Sequence, residues 1–157
     1  MFTVKKSPNN PLLSPDTNVP WEAKAVFNCS PIKDGKTTHY VYRAMSSTES
    51  YFGTNISISS VGYTSSENGI DFSDRKQLIA PENEWEKYGC EDPRVTKMGD
   101  KFYIFYTALS DYPFNAKSIK IAVAITKDFK KIEEKHLVTP FNAKAMALFP
   151  EKIVSQN

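Results

Sequence analysis

Asn28–Ala44 (NCSPIKDGKTTHYVYRA) and Asp92–Ala108 (DPRVTKMGDKFYIFYTA) align without a gap at an offset of 64 residues. Apolar residues alternate in phase through both stretches, and a glycine interrupts each at the same place. Alternation with a period of two is typical of strands, and a glycine between two such runs is typical of a hairpin turn. The alignment therefore predicts one strand–turn–strand unit that occurs twice. The matched positions include Gly35 with Gly99, Tyr42 with Tyr106, and Ala44 with Ala108.

Working outward from this repeat, β-branched and aromatic residues recur along most of the chain, and helical periodicity is weak throughout. Polar stretches with Gly, Asn or Asp separate the runs, as tight turns require. The pattern predicts an all-β chain. The strongest strand predictions are His39–Arg43, Ser57–Thr64, Lys101–Thr107 and Ser118–Thr126. The predicted turns are Lys33–Lys36, Ser65–Gly69 and Met98–Lys101.

The similarity continues beyond the first two strands of each unit. Val61–Ser65 matches Val123–Lys127, and a third copy begins near Leu148. A repeat of roughly 60 residues with four short strands is typical of a propeller blade. We therefore predict a partial β-propeller of about two to two and a half blades; the alternative is an ordinary β-sandwich with two similar hairpin pairs. The predicted parts are an N-terminal segment (1–20), blades at about 21–83 and 84–141, and the start of a third blade (142–157).

Composition sets broad limits on the class of protein. The chain has 157 residues, 40% of them hydrophobic, 13% aromatic and 24% charged, which indicates one globular domain. A net charge of +2 does not call for nucleic acid as a partner. No apolar run is long enough to span a membrane or to form a signal peptide, so we expect a cytoplasmic protein. With two cysteines and two histidines, we expect no metal site.

One polar segment, Tyr88–Thr96 (YGCEDPRVT), lies where a strand should begin. The repeat places Asp92 at the position of Asn28, and equivalent inner-strand positions converge on the axial pocket of a propeller. Asp92 would be a general acid if burial or a neighbouring carboxylate raised its pKa, whereas Arg43 or Arg94 would keep it ionised. The alternative is that this segment is only a turn with an Asx cap.

Several blocks along the chain resemble glycoside hydrolase family 130, the β-mannoside phosphorylases and related mannosidases. The resemblance covers residues 10–151, and its most specific mark is Glu91-Asp92-Pro93-Arg94. It implies a five-bladed β-propeller. The other matching blocks are Asn10–Leu13, Trp21-Glu22, Phe27-Asn28, Tyr42–Ala44, Tyr106–Ala108, Asn142–Lys144 and Ala147–Glu151.

The resemblance also implies a reaction, the inverting phosphorolysis of a β-mannoside to mannose 1-phosphate. Inorganic phosphate is the co-substrate, no cofactor is needed, and the partners are a β-mannoside oligosaccharide and phosphate. Phosphate replaces the water and the second carboxylate of an inverting hydrolase. The resemblance assigns Asp92 as the proton donor, acting through a sugar hydroxyl. It assigns Asn28, Arg43, Glu91 and Arg94 to substrate binding, and Asn142 and Lys144 to phosphate binding.

Two departures from the family leave alternatives open. Ala145-Met146 replaces the Asp-Ala of many phosphorylases, and the family continues for another half-protein with further site residues. We therefore expect the site to be incomplete in a single chain, so that activity requires a homo-oligomer or a missing C-terminal half to complete it. The other functions considered are a β-mannoside hydrolase of the same fold and a non-catalytic carbohydrate-binding or partner subunit. In that subunit Trp21, Tyr51 and Trp85 would stack on sugars, rather than pack between blades.

Overall fold

The structure, a computed structural model, describes residues 3–153. Within this range ten strands and three single 3-10 turns form the regular structure, so the predicted all-β class is confirmed. None of the described helical segments is long and apolar enough to cross a membrane. The 3-10 turns are Pro20–Glu22, Glu84–Glu86 and Ala116–Ser118. The strands are β1 (Ala25–Asp34), β2 (Thr37–Met45), β3 (Glu49–Tyr51), β4 (Thr54–Ile56), β5 (Ser59–Ser66), β6 (Lys76–Ile79), β7 (Gly89–Met98), β8 (Lys101–Leu109), β9 (Ile119–Thr126) and β10 (Glu134–Leu137).

The strands form two four-stranded antiparallel meanders, β1-β2-β5-β6 and β7-β8-β9-β10. A single parallel bridge between Ser59 and Gly89 joins them, and we call the contact between the two meanders the seam. The strands β3 and β4 form a separate hairpin within the connection from β2 to β5. Each meander thus has the strand order of a propeller blade.

The four strongest strand predictions fall on β2, β5, β8 and β9. Two-residue turns link β1 to β2 and β7 to β8, and they place Gly35 (φ 59°) and Gly99 (φ 64°) in the left-handed region. A residue with a Cβ is strained there, which explains why both repeats have glycine at this position. The predicted repeat boundaries stay predictions. Residues 142–153, the described part of the predicted third blade (142–157), contain no strand, and residues 154–157 lie outside the described residues.

The main hydrophobic core lies between the two meanders. Val41 and Val61 of the first meander pack against the face of the second that includes Ile104, and all three side chains are fully buried. Because side chains alternate across a strand, Phe105 and its neighbours on β9 point to the opposite face. Met146 and Leu148, from the segment after β10, pack against that second cluster.

A buried carboxylate anchors each meander to the 3-10 turn before it. The Glu86 side chain is 0% exposed, and it accepts hydrogen bonds from the Tyr106 hydroxyl (2.6 Å) and from Lys135 Nζ (3.0 Å). Burial raises the pKa of Glu86, but the Tyr106 hydrogen bond and the Lys135 charge outweigh it, so the pKa lies below its usual value. The second repeat therefore contains a buried ionised glutamate with its donors supplied.

The same network recurs 64 residues earlier in the chain. Glu22 is also 0% exposed, and it accepts from the Tyr42 hydroxyl at 2.8 Å and from Arg75 Nη1 at 2.9 Å. Trp21 and Trp85 occupy equivalent positions, each with its ring centroid 6.4 Å from that of the anchoring tyrosine. Each of these two tryptophans thus packs beside the anchoring tyrosine of its own meander.

We expect Tyr106→Phe to lower the free energy of unfolding by about 2 kcal/mol, because the buried Glu86 carboxylate loses a donor that water cannot replace. Tyr103→Phe is the matched control: the Tyr103 hydroxyl makes no hydrogen bond among residues 3–153, so its loss should cost less than about 0.5 kcal/mol. Urea denaturation of both variants measures the difference. Equal effects of the two substitutions would contradict the anchoring role.

Candidate active site

The candidate site forms where the two inner strands, β1 and β7, lie side by side. The register of both strands shifts at equivalent places, between Phe27 and Ser30 and between Glu91 and Arg94. Each irregularity puts one residue in the left-handed region, Asn28 at φ 49° and Asp92 at φ 51°. Asn and Asp tolerate this conformation better than other residues with a Cβ.

The two equivalent side chains meet directly across the seam. The Asn28 amide donates to Asp92 Oδ1 at 2.7 Å. Asn28 belongs to the first meander and Asp92 to the second, so the contact depends on how the two pack. The sequence prediction that these positions converge is consistent with this geometry.

Arg43, on β2, connects the same two meanders through its guanidinium. Its Nη2 donates to Glu91 Oε1 at 2.5 Å, its Nη1 to Asp92 Oδ1 at 3.3 Å, and its Nε to Ser59 Oγ at 3.0 Å. The guanidinium carbon also lies 4.8 Å from the centroid of the Phe27 ring. Arg43 and both acids are largely buried, with side-chain exposures of 13%, 8% and 13% for Arg43, Glu91 and Asp92. Charge-assisted hydrogen bonds with so little solvent exposure hold the Arg43 guanidinium and the two carboxylates in fixed positions.

Lys144 supplies the second cation, from the segment after β10. Its Nζ lies 3.3 Å from Glu91 Oε2 and 3.9 Å from Asp92 Oδ2. Its side chain is 53% exposed, in contrast with the buried Arg43. Two carboxylates and two cations thus balance in charge, and Lys144 is the cation that solvent and a ligand can reach.

The surroundings of Asp92 favour its ionised form. Burial raises the pKa of this carboxyl, but the Asn28 hydrogen bond and the charges of Arg43 and Lys144 outweigh burial and hold the pKa below its usual value. Of the two outcomes considered from sequence, these surroundings favour ionisation, through the Asn28 hydrogen bond first and then the charges of Arg43 and Lys144. Because the pKa is lower in the folded state, this ion pair stabilises the fold above about pH 4, and the stabilisation is lost as the pH falls through the folded-state pKa.

Two predicted site residues make their hydrogen bonds elsewhere. Arg94 Nη1 donates to the carbonyl of Pro93 at 2.7 Å. The Asn142 amide, in the orientation that suits its neighbours, donates to the carbonyls of Ala116 (2.9 Å) and Ile119 (3.2 Å). Their roles in substrate and phosphate binding stay predictions. Conversely, sequence reasoning missed Ser59, whose hydroxyl also lies 3.4 Å from Glu91 Oε1, because nothing in the sequence distinguishes it from its neighbours Ser57 and Ser60.

Among residues 3–153, no group of three or more His, Cys, Asp or Glu side chains is arranged to hold a metal ion. Both cysteines are free thiols, Cys29 exposed and Cys90 buried. Burial raises the pKa of the Cys90 thiol well above its usual value. The carboxylates and cations at the seam are therefore the groups with which the site can act.

Solved structures share this fold. The β-1,2-mannobiose phosphorylase of Listeria innocua superimposes with a TM-score of 0.69 at 22% identity, over 94% of this chain and 54% of that one. A structure from work on family 130 hydrolases that target β-1,2-mannosidic linkages in Candida mannan gives a TM-score of 0.64 at 26% identity, over 83% and 39% of the two chains. The chain is a partial five-bladed β-propeller, as predicted, and the β-sandwich alternative is excluded.

Sequence comparison then identifies the family. The family model described as β-1,4-mannooligosaccharide phosphorylase matches residues 3–156, and the chain belongs to this family, glycoside hydrolase family 130. The β-1,2-mannobiose phosphorylase of Thermoanaerobacter sp. (strain X514) is 34% identical over 159 residues, and the 1,2-β-oligomannan phosphorylase of the same organism is 34% identical over 155. Both alignments include 98% of this chain but only 52% and 51% of the relatives. The chain therefore spans about half the length of these relatives.

We expect Asn28→Ala to raise the pKa of Asp92, because it removes a hydrogen bond that favours the carboxylate. The carboxyl carbon chemical shift of Asp92, followed by NMR against pH, measures the change. Asn68→Ala, in the β5–β6 turn at the opposite end of the first meander, is the control and should leave the pKa of Asp92 unchanged. An unaltered titration in Asn28→Ala would show that this amide does not tune the acid.

Proposed function

We propose that the chain carries the acid and sugar-binding half of a β-mannoside phosphorylase site, which catalyses inverting phosphorolysis to mannose 1-phosphate. The observation that carries the proposal is the convergence of Asp92 with Asn28, Arg43, Glu91 and Lys144 at the seam. Family membership and the names of the two Thermoanaerobacter relatives support the same reaction class.

The chemistry needs one proton donor and a bound phosphate. A phosphate oxygen attacks the anomeric carbon from the face opposite the leaving group, and the bond from that carbon to the glycosidic oxygen breaks. The departing oxygen takes a proton that originates on Asp92, by way of a sugar hydroxyl in the family's mechanism. Because phosphate is already an anion, no second carboxylate is required as a base, and cations that hold it suffice.

Lys144 is the group best placed to receive the phosphate. Its side chain is half-exposed, and its contacts with Glu91 and Asp92 are longer than those of Arg43. It can therefore turn toward an incoming anion and give up only weak ion pairs. A bound phosphate would offset the positive charge that lowers the pKa of Asp92. The pKa would then rise toward the protonated form that a donor needs. Phosphate would thus be the nucleophile and would also favour the protonated form of Asp92.

Glu91 has a different role from Asp92 in this proposal. Its two carboxylate oxygens already accept from Arg43 and Lys144, and its side chain is 8% exposed. We therefore assign Glu91 to positioning the two cations, with contact to the substrate as an additional role. Asn28 and Arg43 hold the sugar beside Asp92, and Arg94 and Asn142 would have to release their present backbone partners to reach a ligand.

A β-mannoside hydrolase is the second candidate. The observation in its favour is the structural similarity, at 26% identity, to a protein from work on family 130 hydrolases. A hydrolase has no need of a phosphate ligand, and the exposed Lys144 at the site favours the phosphorylase. The non-catalytic alternative is a carbohydrate-binding module or a subunit that pairs with a missing half. The cytoplasmic location stays a prediction.

We expect Asp92→Asn to reduce release of mannose 1-phosphate from β-1,2-mannobiose and phosphate by about a hundredfold or more, because the leaving oxygen loses its proton source. The variant should still bind the disaccharide. Light scattering of the same samples establishes whether the active species is one chain or an oligomer. Equal turnover by the variant and the wild type would exclude Asp92 as the donor.

We expect Lys144→Met to raise the KM for phosphate with little change in the affinity for mannobiose, since one charge-assisted contact to the anion is lost. Lys127→Met removes a half-exposed lysine outside the site and serves as the control. Release of free mannose in the absence of phosphate would instead identify a hydrolase.

A further inference from the structure

Five aromatic side chains outside the candidate active site form a continuous strip. Neighbouring ring centroids are separated by 4.7 Å between Tyr51 and Phe52, by 6.1 Å between Phe52 and Tyr88, by 6.4 Å between Tyr88 and Tyr112, and by 5.2 Å between Tyr112 and Phe114. Phe52 is 63% exposed, Phe114 44% and Tyr112 38%. We call these five residues the aromatic strip. It includes Tyr51, for which sugar stacking was one interpretation of the sequence.

The strand registers place the aromatic strip at the same end of the blades as Asp92. β7 begins at Gly89 opposite Leu109, the last residue of β8, so the connection from β8 to β9 leaves at that end. β2 likewise ends at Met45, opposite the first residue of β1, and leads into the β3–β4 hairpin. Tyr88 lies immediately before β7, so the strip runs from the hairpin across the start of β7 to the β8–β9 connection.

The backbone of Phe52 is unusual for so large a residue. Tyr51 pairs with Thr54, which leaves Phe52 and Gly53 as a two-residue turn with φ angles of 47° and 77°. Asn-Gly is the favoured pair at such positions, and a bulky residue there is strained. The ring is largely exposed, so the fold gains little packing in return. Lys87 Nζ lies 4.0 Å from the ring centroid and holds the ring in place.

The rings and their borders fit a carbohydrate chain. A pyranose has apolar C–H faces and a rim of hydroxyl groups, so it stacks on aromatic rings and hydrogen-bonds at their edges. The strip offers three exposed aromatic side chains, Phe52, Tyr112 and Phe114, and the Lys87 ammonium group over one face of the Phe52 ring. We propose that the aromatic strip binds sugar units of a β-mannoside oligosaccharide beyond those held beside Asp92. This inference rests on the proposed function, because it takes the bound chain to be a β-mannoside.

The test compares short and long ligands on the full chain. Calorimetric titration with β-1,2-mannobiose and with a longer β-1,2-mannooligosaccharide should show tighter binding of the longer one. Phe52→Asn should weaken binding of the longer ligand by about three- to tenfold, the range for one aromatic contact, and leave mannobiose unaffected. Asparagine suits the left-handed turn, so the hairpin is kept while the ring is removed.

Two further variants complete the design. Tyr112→Ala, on the other side of the strip, should weaken binding of the longer ligand by a similar factor. Ile70→Asn is the matched control: Ile70 is 56% exposed in the β5–β6 turn at the opposite end of the blade, and its substitution should change neither affinity.

The inference is overturned if wild type binds both ligands equally well, or if Phe52→Asn leaves the affinity for the longer ligand unchanged. It is also overturned if Phe52→Asn changes only the mass of the protein by light scattering, which would make the strip a contact between copies. Failure of the proposed function has a separate signature. In that case mannobiose is not bound, or Arg43→Ala binds it as tightly as wild type.

Discussion

The Arg43 guanidinium is the group on which both the seam and the site depend. It comes from the first meander, whereas the two carboxylates it contacts, Glu91 and Asp92, come from the second. Adjacent carboxylates with little exposure would repel each other and lack solvation without a cation between them. Burying such charges is favourable only when the hydrogen bonds are complete, and Ser59 and Asn28 complete them here. The same contacts therefore hold the two meanders together and position Asp92.

The duplication places two equivalent residues, Asn28 and Asp92, opposite each other at the candidate site. Both inner strands have the same irregularity and the same left-handed residue, but the first supplies an amide and the second a carboxylate. Asn28 and Asp92 have nearly the same shape and complementary hydrogen-bonding groups, so they pair where two aspartates would repel. The buried glutamates, by contrast, are identical in both repeats, because Glu22 and Glu86 serve the fold. The two repeats therefore differ at the candidate site, where Asn28 corresponds to Asp92, and have the same residue at the buried anchor, where Glu22 corresponds to Glu86.

Strands were predicted correctly from the sequence where the local residue pattern matches the surroundings of the strand in the fold. β2 and β8 are rich in the aromatic and β-branched residues that favour strands, whereas the inner strands β1 and β7 contain Pro31 and Pro93 and a shift in register, which break the pattern. The resemblance to a family supplied the individual site residues, and five of them meet at the seam. It did not reveal that Arg94 and Asn142 donate to backbone carbonyls, since a side chain's partner depends on which groups the fold brings near.

The sequence alone determined the all-β class, the repeat, and the residue types available for acid and anion chemistry, because alternation, turn residues and spacing are local properties of the chain. Only the tertiary structure decided the ionisation of Asp92 and the role of Ser59. It also brought together the aromatic strip, whose members are separated by up to 63 residues along the chain. These features arise from contacts between distant segments, and the energy of a charge or an exposed ring depends on those neighbours rather than on its place in the sequence.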